Sequence, residues 1–185
     1  MPEAVVLSVN HRTRLDWMFI WNILPSVVAR VAPDLAAAYG TRWPSSILPH
    51  LIIVLKSDIK KLPFMGFSCS QASFIYLERD WAVDGPNLRR RAAQLVREGR
   101  RPVFLVFAEG TDLSSKNLGK SIVYARAKAL EPRFCTLYPR KRGLFAIASG
   151  IMQGRRTAAP VPILDMTIDY GGFVPQTEAA LASGR

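Results

Sequence analysis

Two residues near the N-terminus have side chains that could catalyse a proton transfer. His11 is one of only two histidines in the 185 residues, and Asp16 follows it five positions later in the string NHRTRLDW. A carboxylate beside one ring nitrogen fixes the tautomer of a histidine and stabilises its cation, so the other nitrogen can take a proton from a hydroxyl. The pair would then be a general base and its orienting carboxylate, and the substrate would supply the attacking hydroxyl.

The same string is also typical of the ordinary start of a helix. Thr13 and Asp16 form a T-x-x-D pattern before an apolar run, which predicts a helix N-terminus favoured by its dipole. Positions i and i+5 of a continuous helix lie about 500° apart and share no face. His11 and Asp16 can therefore meet only if His11 lies in the loop and Asp16 in the first turn, so the two interpretations are compatible.

Other catalytic patterns in the chain are weaker. Gly66–Ser70 reads GFSCS and lacks the final glycine of a G-x-S-x-G turn, so Ser68 is a poor candidate nucleophile. Cys69 and Cys135 are far apart and have no metal-ligand spacing, which indicates free thiols in a reducing compartment. No glycine-rich phosphate loop is present. We therefore expect no bound metal and no resident cofactor.

The composition indicates a polyanionic partner. Lysine and arginine number 25 against 14 aspartates and glutamates, a formal charge of +11. Such a chain is attracted to nucleic acid, to an anionic membrane or to a phosphorylated ligand. Nucleic acid is disfavoured because the aromatic residues lie mainly in apolar runs and not among the basic residues.

The N-terminus gives no targeting signal. MPEAVVLSVN has neither the basic start nor the long apolar core of a signal peptide, and no apolar run reaches the roughly 20 residues of a membrane span. Because the first strand is predicted only about four residues after Met1, we expect either a truncated chain or the soluble core of a longer, tethered protein.

Strands alternate with helices along the chain, which predicts an α/β fold with a mixed, largely parallel β-sheet flanked by helices. We expect one catalytic domain over residues 1–171 and a tail over 172–185, with an ill-ordered connection over Arg30–Ser46. The predicted strands are Val5–Val9, Leu51–Leu55, Ser73–Leu77, Pro102–Phe107, Thr136–Tyr138 and Ile163–Tyr170. The predicted helices are Thr13–Leu24 (ended by Pro25), Asn87–Glu98, Lys120–Leu130 and Phe145–Gln153.

Five short blocks, in order along the chain, resemble those of the glycerolipid acyltransferases, the lysophosphatidic acid acyltransferase family. They are NHRTRLD for the NHxxxxD block, IKKLPFMGF for K-x-x-P-x-x-G-aromatic, FIYLER for a strand ending in arginine, FAEGTD for FPEGT, and PVPI for the proline-bearing fourth block. The strings NHRTRLDWMFIW, LERDW, EGTDLS and LYPRKRGL are most similar to the lysocardiolipin and lysophosphatidylinositol acyltransferase branch. The resemblance implies a layer fold like that of glycerol-3-phosphate acyltransferase.

The resemblance also implies an activity. Members of the branch are endomembrane proteins, and we expect an endoplasmic reticulum location, contact with an anionic membrane surface, and transfer of an acyl group from acyl-CoA to the free glycerol hydroxyl of a lysophospholipid. His11 would be the general base and Asp16 its orienting residue, without a covalent enzyme intermediate. The expected substrate-binding residues are Asn10, Arg79, Glu109, Gly110, Thr111 and Arg140, with Arg79 on the acceptor phosphate.

Two positions depart from the commonest form of the third block. Ala108 replaces its proline, a mild change, and Asp112 stands where an arginine is read as a phosphate ligand. An aspartate would repel a phosphomonoester dianion. We therefore expect a phosphodiester headgroup, with Arg140 as a substitute contact. Two alternatives stay open: a 1-acyl-sn-glycerol-3-phosphate acyltransferase that makes phosphatidic acid, and a lipid or thioester hydrolase that uses the same pair on water.

Overall fold

The computed structural model describes residues 2–39, 47–61, 71–172, 174–176 and 178–183. The strands in these ranges are β1 (Val5–Val9), β2 (Leu51–Lys56), β3 (Ile75–Leu77), β4 (Val103–Phe107) and β5 (Ile163–Met166). The helices are α1 (Asp16–Val31), α2 (Pro33–Tyr39), α3 (Trp81–Arg97), α4 (Ser115–Ala127), α5 (Lys141–Gly154) and α6 (Glu178–Ser183). Two short 3-10 helices, Leu48–His50 and Ser57–Lys61, precede and follow β2.

The strands form one sheet in the order β3-β2-β4-β1-β5, and every neighbouring pair is parallel. The central strand pair is aligned along its full length, from Val5 opposite Val103 to Val9 opposite Phe107. The predicted α/β class with a sheet flanked by helices is confirmed. Because the strands run the same way, all five carboxyl ends meet at one edge of the sheet.

Helices cover both faces of the central strands β1 and β4, so these strands are apolar on both sides. Val5, Leu7 and Val9 of β1 belong to a core cluster beneath α1 and α2, which contribute Ile20, Leu24, Val28 and Leu35. The alternate residue of β1, Val6, belongs to a second cluster with α3 and α5. Full burial of each such side chain contributes about 1.5–3 kcal/mol, which holds the ends of β1 and β4 in fixed positions.

The predicted end of the first helix at Pro25 is wrong, because α1 continues to Val31 with Pro25 inside it. An internal proline removes one backbone hydrogen bond and crowds the preceding turn, at a cost of about 3 kcal/mol. Ile20, Leu24 and Val28 follow one another at four-residue spacing and are all buried in the core. Their continuous apolar stripe offsets the cost of the proline and keeps the helix intact.

Two helices begin earlier than predicted. The helix expected from Asn87 begins at Trp81, because the Asp80 carboxylate accepts a hydrogen bond from the Ala82 backbone N–H and caps it. The helix expected from Lys120 begins at Ser115, where the Ser114 hydroxyl accepts from the Asn117 backbone N–H. Side-chain caps thus start these helices several residues before the apolar pattern becomes visible.

Other predicted boundaries also change. The expected strand Thr136–Tyr138 does not form, because the Tyr138 N–H donates to the Ser121 hydroxyl at 3.0 Å and not to a neighbouring strand. Within the connection predicted for Arg30–Ser46, residues 33–39 form α2, and residues 40–46 lie outside the described ranges. α6, within the predicted tail, and the two 3-10 helices were not predicted, and the other strands and helices differ from prediction at their ends only.

Among the helices in the described ranges, none combines the length and the apolar character that crossing a bilayer requires.

Candidate active site

The predicted catalytic residues lie at the edge of the sheet where the strands end. His11 follows β1, Glu109 follows β4, and Tyr170 lies four residues beyond the end of β5. These three strands are neighbours in the sheet, so three distant parts of the chain meet at one place. Open parallel sheets generally bind ligands at this edge.

His11 and Asp16 contact each other directly. The Nδ1 atom of His11 is 2.9 Å from Oδ2 of Asp16, whose side chain is fully buried. The same oxygen accepts hydrogen bonds from the backbone N–H groups of Arg12 (2.7 Å) and Thr13 (3.0 Å). The other oxygen, Oδ1, accepts from the Tyr170 hydroxyl at 2.7 Å. Backbone and hydroxyl groups thus stabilise this carboxylate as an ionised acceptor.

The geometry determines what the imidazole of His11 can do. An ionised Asp16 only accepts hydrogen bonds, so we assign the proton of a neutral His11 to Nδ1, which leaves the lone pair on Nε2. The ring stacks on Phe107 with centroids 4.1 Å apart and planes at 19°, and 16% of its side chain is exposed. His11 is therefore held in one orientation, with limited access from outside, as a general base needs to be.

Only one of the two hydrogen bonds of the predicted capping pattern forms at the start of α1. Asp16 accepts from the Thr13 backbone N–H, but the helix begins at Asp16 itself, after a Leu15 that provides no side-chain cap. The Thr13 hydroxyl instead donates to the Pro175 carbonyl at 2.7 Å. The prediction that the helix begins at Thr13 is wrong, yet His11 lies in the loop and Asp16 in the first turn, the arrangement that the pattern required.

Glu109 is a buried carboxylate beside the pair. It is 5% exposed, and its Oε2 atom has no hydrogen-bond partner in the described part of the chain. Burial raises the pKa of Glu109, and the backbone N–H groups of Leu137 and His11 oppose this rise only in part. A buried, unpartnered oxygen of this kind can accept a hydrogen bond from a ligand hydroxyl.

Gly110 and Arg140 lie next to each other. Gly110 has φ of +73° in the turn that closes with its N–H on the Phe107 carbonyl. A Cβ atom there would lie 3.0 Å from Cδ of Arg140, whose own N–H donates to the Ala108 carbonyl at 2.7 Å. Arg140 is exposed, so its side chain lies at the rim of the site, beside Gly110.

Two predicted binding residues use their polar groups within the protein. The Asn10 amide donates to the Ile168 carbonyl at 3.0 Å and accepts from the Ile168 N–H at 2.7 Å, which joins the end of β1 to the segment after β5. The Thr111 hydroxyl contacts Asp112 at 3.3 Å and Asn117 at 3.0 Å and so orders the loop after β4. Asn10 and Thr111 thus stabilise the segments around the site in this structure.

The structure does not bring Arg79 to the pair. Arg79 follows β3, three strands from β1, so the two strand ends are about 14 Å apart. It has φ of +65° and is exposed. With Lys56, Asp58, Lys60 and Glu78 it lines a cavity of about 510 Å³, which is distinct from the dyad.

Tyr170 is the residue that the sequence did not reveal. Burial, together with its hydrogen bond to Asp16, raises the pKa of Tyr170 above that of an ordinary tyrosine, so its hydroxyl remains a donor. It lies 154 residues from Asp16 and belongs to none of the blocks. The only signal was its position as the last residue of a predicted strand.

The described residues contain no group of three or more histidine, cysteine or acidic side chains that could hold a metal ion. Cys135 is an exposed free thiol. The residues Ser68 and Cys69, and most of the IKKLPFMGF block, lie outside the described ranges.

Comparisons with known proteins identify related chains over almost the whole length. Lysocardiolipin acyltransferase 1 of Mus musculus is 31% identical over 182 residues, which cover 98% of this chain and 43% of that protein. Lysophosphatidylinositol acyltransferase 10 of Caenorhabditis elegans is 31% identical over 180 residues, 97% and 41% of the two chains. A probable 1-acyl-sn-glycerol-3-phosphate acyltransferase 5 of Arabidopsis thaliana is 30% identical over 169 residues, 91% and 39%.

The chain thus spans less than half the length of the curated relatives it matches. No solved structure matches it significantly. The family model for acyltransferases matches residues 2–168, which include His11, Asp16, Glu109 and Arg140. The chain belongs to the acyltransferase family.

Proposed function

We propose that this chain transfers a fatty acyl group from acyl-CoA to the free glycerol hydroxyl of a lysophospholipid. The observation that carries the proposal is the buried Asp16 carboxylate, which fixes His11 through Nδ1 and leaves Nε2 for the substrate. The names of the relatives support the class of acceptor, since two are lysophospholipid acyltransferases and one is a probable 1-acyl-sn-glycerol-3-phosphate acyltransferase.

The reaction follows from the dyad. Nε2 of His11 removes the proton from the acceptor hydroxyl while that oxygen attacks the thioester carbonyl of acyl-CoA. The buried negative charge of Asp16 stabilises the imidazolium that forms. The tetrahedral intermediate collapses, the C–S bond breaks, and the CoA thiolate leaves and takes up the proton. Acyl-CoA is then a co-substrate, and the enzyme forms no covalent intermediate.

The polar groups around the dyad suit a phospholipid acceptor. The free Oε2 atom of Glu109 accepts a hydrogen bond from the acceptor, and Arg140 contacts its headgroup phosphate from the rim. The exposed guanidinium of Arg79, in its separate cavity, contacts a more distant phosphate of the acceptor. Asn10, Gly110 and Thr111 keep the loops of this binding region in place.

Asp112 favours a phosphodiester acceptor over a free phosphomonoester, because its carboxylate lies in the loop between Glu109 and α4 and repels a dianion. We expect Asp112→Arg to increase the use of lysophosphatidic acid relative to lysophosphatidylinositol by about tenfold, as removal of one repulsive charge and addition of one attractive charge should do. Initial rates with the two acceptors measure this ratio, and an unchanged ratio would refute the role of Asp112.

An acyl-transfer assay tests the proposed function. Purified chain is mixed with radiolabelled acyl-CoA, membranes and a panel of lysophospholipids that includes lysophosphatidic acid, and the products are separated. We expect labelled phospholipid that depends on the acceptor. Release of free fatty acid at equal rates with and without lysophospholipid would show a hydrolase instead, and strict preference for lysophosphatidic acid would show a phosphatidic acid synthase.

The cellular setting follows from the substrates. We propose that residues 1–171 form the catalytic domain and that the enzyme works at an anionic endomembrane surface, with the endoplasmic reticulum as the expected location. Fluorescent tagging of the protein in cells, followed by staining with organelle markers, tests the location. A diffuse signal without membrane overlap would contradict it.

A further inference from the structure

α4 and the loop that follows it are covered very little by the rest of the protein. Of the 13 residues of α4, only Ala125 is buried. Large apolar side chains on this segment face outward instead, with exposed fractions of 67% for Val123, 50% for Tyr124, 43% for Leu130 and 67% for Phe134. An exposed apolar patch of this kind marks a site of association.

Basic residues are interspersed with these apolar side chains. Residues 115–145 hold eight lysines and arginines and one acidic residue, Glu131. Four of the cations lie on the same stretch and are exposed: Lys120, Arg126, Lys128 and Arg133. We call these four cations and the four apolar residues the α4 surface. It combines apolar insertion with positive charge, and a second copy of the same surface would be repelled.

The α4 surface is a continuous structure that borders the active site. The Tyr124 ring lies 5.9 Å from the Tyr138 ring, and the Arg133 guanidinium lies 5.0 Å from the same ring. Two residues later, the Arg140 N–H donates to the Ala108 carbonyl beside Glu109. A partner bound to the α4 surface would therefore lie next to the mouth of the active site.

We propose that the α4 surface docks on an anionic lipid bilayer, so that a lysophospholipid reaches the site from the membrane. The proposal rests on the proposed function, because lipid substrates supply the reason for docking at this edge. Apolar side chains of an interfacial helix enter the boundary between headgroups and acyl chains, while lysines and arginines stay at the anionic headgroups. The four apolar residues and four cations of the α4 surface provide both kinds of contact.

Binding to vesicles tests the proposal with two pairs of matched variants. Val123→Ser with Phe134→Ser removes two apolar contacts, and Lys120→Glu with Lys128→Glu reverses two charges. Val31→Ser, at the exposed end of α1, and Arg97→Glu, in the last turn of α3, are controls. Each chain is sedimented with vesicles of phosphatidylcholine alone or with 30% phosphatidylserine, and thermal unfolding checks that the fold is intact.

We expect each test pair to weaken binding to anionic vesicles by about tenfold or more, since one lysine changes binding by about fivefold, and the controls to bind as the wild type. Transfer to a monomeric, short-chain lysophospholipid should stay at the wild-type rate. Unchanged vesicle binding by folded test variants overturns the proposal that the α4 surface docks on the bilayer, even if acyl transfer is intact. Wild-type chain that binds vesicles through this surface but transfers no acyl group overturns the proposed function alone. Self-association that Phe134→Ser abolishes, with vesicle binding unchanged, would overturn membrane docking in favour of a second copy.

Discussion

The carboxylate of Asp16 accepts hydrogen bonds from both side chains and the backbone. It accepts from His11, and it also accepts from the backbone N–H groups of Arg12 and Thr13 at the start of α1. The contacts with the backbone hold the carboxylate in place independently of the imidazole. A carboxylate that fixes the turn before a helix can therefore also orient a neighbouring imidazole, because both tasks require a fixed, ionised acceptor.

Tyr170→Phe tests the remaining contact of this carboxylate. The variant removes the hydrogen bond to Oδ1 of Asp16, and because hydrogen bonds to charged groups contribute about 1.5–3 kcal/mol, we expect turnover to fall by about tenfold. The fall should appear in kcat, because the carboxylate loses one of the contacts that hold it against the imidazole of His11.

The measurement is kcat and KM for acyl transfer, beside a thermal unfolding curve. Loss of stability with an unchanged kcat would show that Tyr170 only supports the fold and does not position Asp16. Phe19, which meets the Tyr170 ring edge-on at 5.7 Å, keeps the aromatic packing of the variant intact.

The second prediction at this scale concerns the effect of Glu109 on how stability depends on pH. Burial raises the pKa of Glu109 above its ordinary value of 4.5, so the ionised form is disfavoured in the folded state. The stabilising contribution of the protonated form is fully present below the unfolded pKa and is lost as pH rises through the folded pKa. We expect Glu109→Gln, which does not ionise, to gain stability relative to wild type as pH rises from below 4.5.

Urea unfolding of wild type and Glu109→Gln at a series of pH values measures this difference in stability. Acyl-transfer assays compare the activities of the same two proteins. We expect the more stable variant to be the less active one, because the carboxylate is kept for the substrate. A stability difference that stays constant across the pH series would contradict the assigned effect of burial.

The sequence predicted the residues of the dyad but not all of their neighbours. His11 and Asp16 are five residues apart, so a local pattern was enough to place one in the loop and the other in the first turn. Tyr170 reaches Asp16 only because β5 pairs with β1. A contact that depends on strand pairing between residues 154 positions apart leaves no local sequence pattern from which it could be predicted.

At the scale of elements, α3 and α5 pack at unusually close range. A Cβ atom on Gly150 would lie 2.3 Å from the Arg89 carbonyl oxygen, and one on Gly154 would lie 2.4 Å from that of Ala93. The two glycines of α5 are four residues apart, as are their two contacts on α3, so they form one matching row. This row holds α5, and with it Arg140 at the helix N-terminus, against the sheet.

Gly150→Ala tests this packing against Gly143→Ala in the same helix. The Cβ atom at position 150 meets backbone that cannot turn aside, so we expect the free energy of unfolding to fall by about 1–3 kcal/mol. Position 143 has nothing within 4 Å of a new Cβ, and there we expect a gain of up to about 1 kcal/mol from helix propensity. Equal changes in urea unfolding for the two variants would contradict the close packing.

Pro25 shows why element boundaries were harder to predict than elements. A proline usually ends a helix, and that local rule predicted a stop after Leu24. Burial of Val28 in the core outweighs it. The strands were better predicted, since the runs Val5–Val9 and Val103–Phe107 are apolar because both faces of the sheet are covered.

At the scale of the whole molecule, the parallel sheet brings the first and third sequence blocks together. β1 ends two residues before His11 and β4 ends two residues before Glu109, and because these parallel strands are neighbours, both ends lie at one edge. The order of the strands was not visible in the sequence, because pairing between distant strands depends on the whole core. For that reason the separation of Arg79 from His11 emerged only from the structure.

The most direct test of the central claim compares the two histidines of the chain. His11 lies beside Asp16, whereas His50 precedes β2 at the opposite edge, with Nδ1 on the Arg100 carbonyl at 2.9 Å. The measurement is the initial rate of acyl transfer from acyl-CoA to a lysophospholipid by His11→Ala and His50→Ala, with thermal unfolding to confirm both folds. We expect His11→Ala to lose about a thousandfold in rate, the scale of general base catalysis, and His50→Ala to stay near wild type. Turnover close to wild type by a folded His11→Ala variant would contradict the assignment of His11 as the catalytic base.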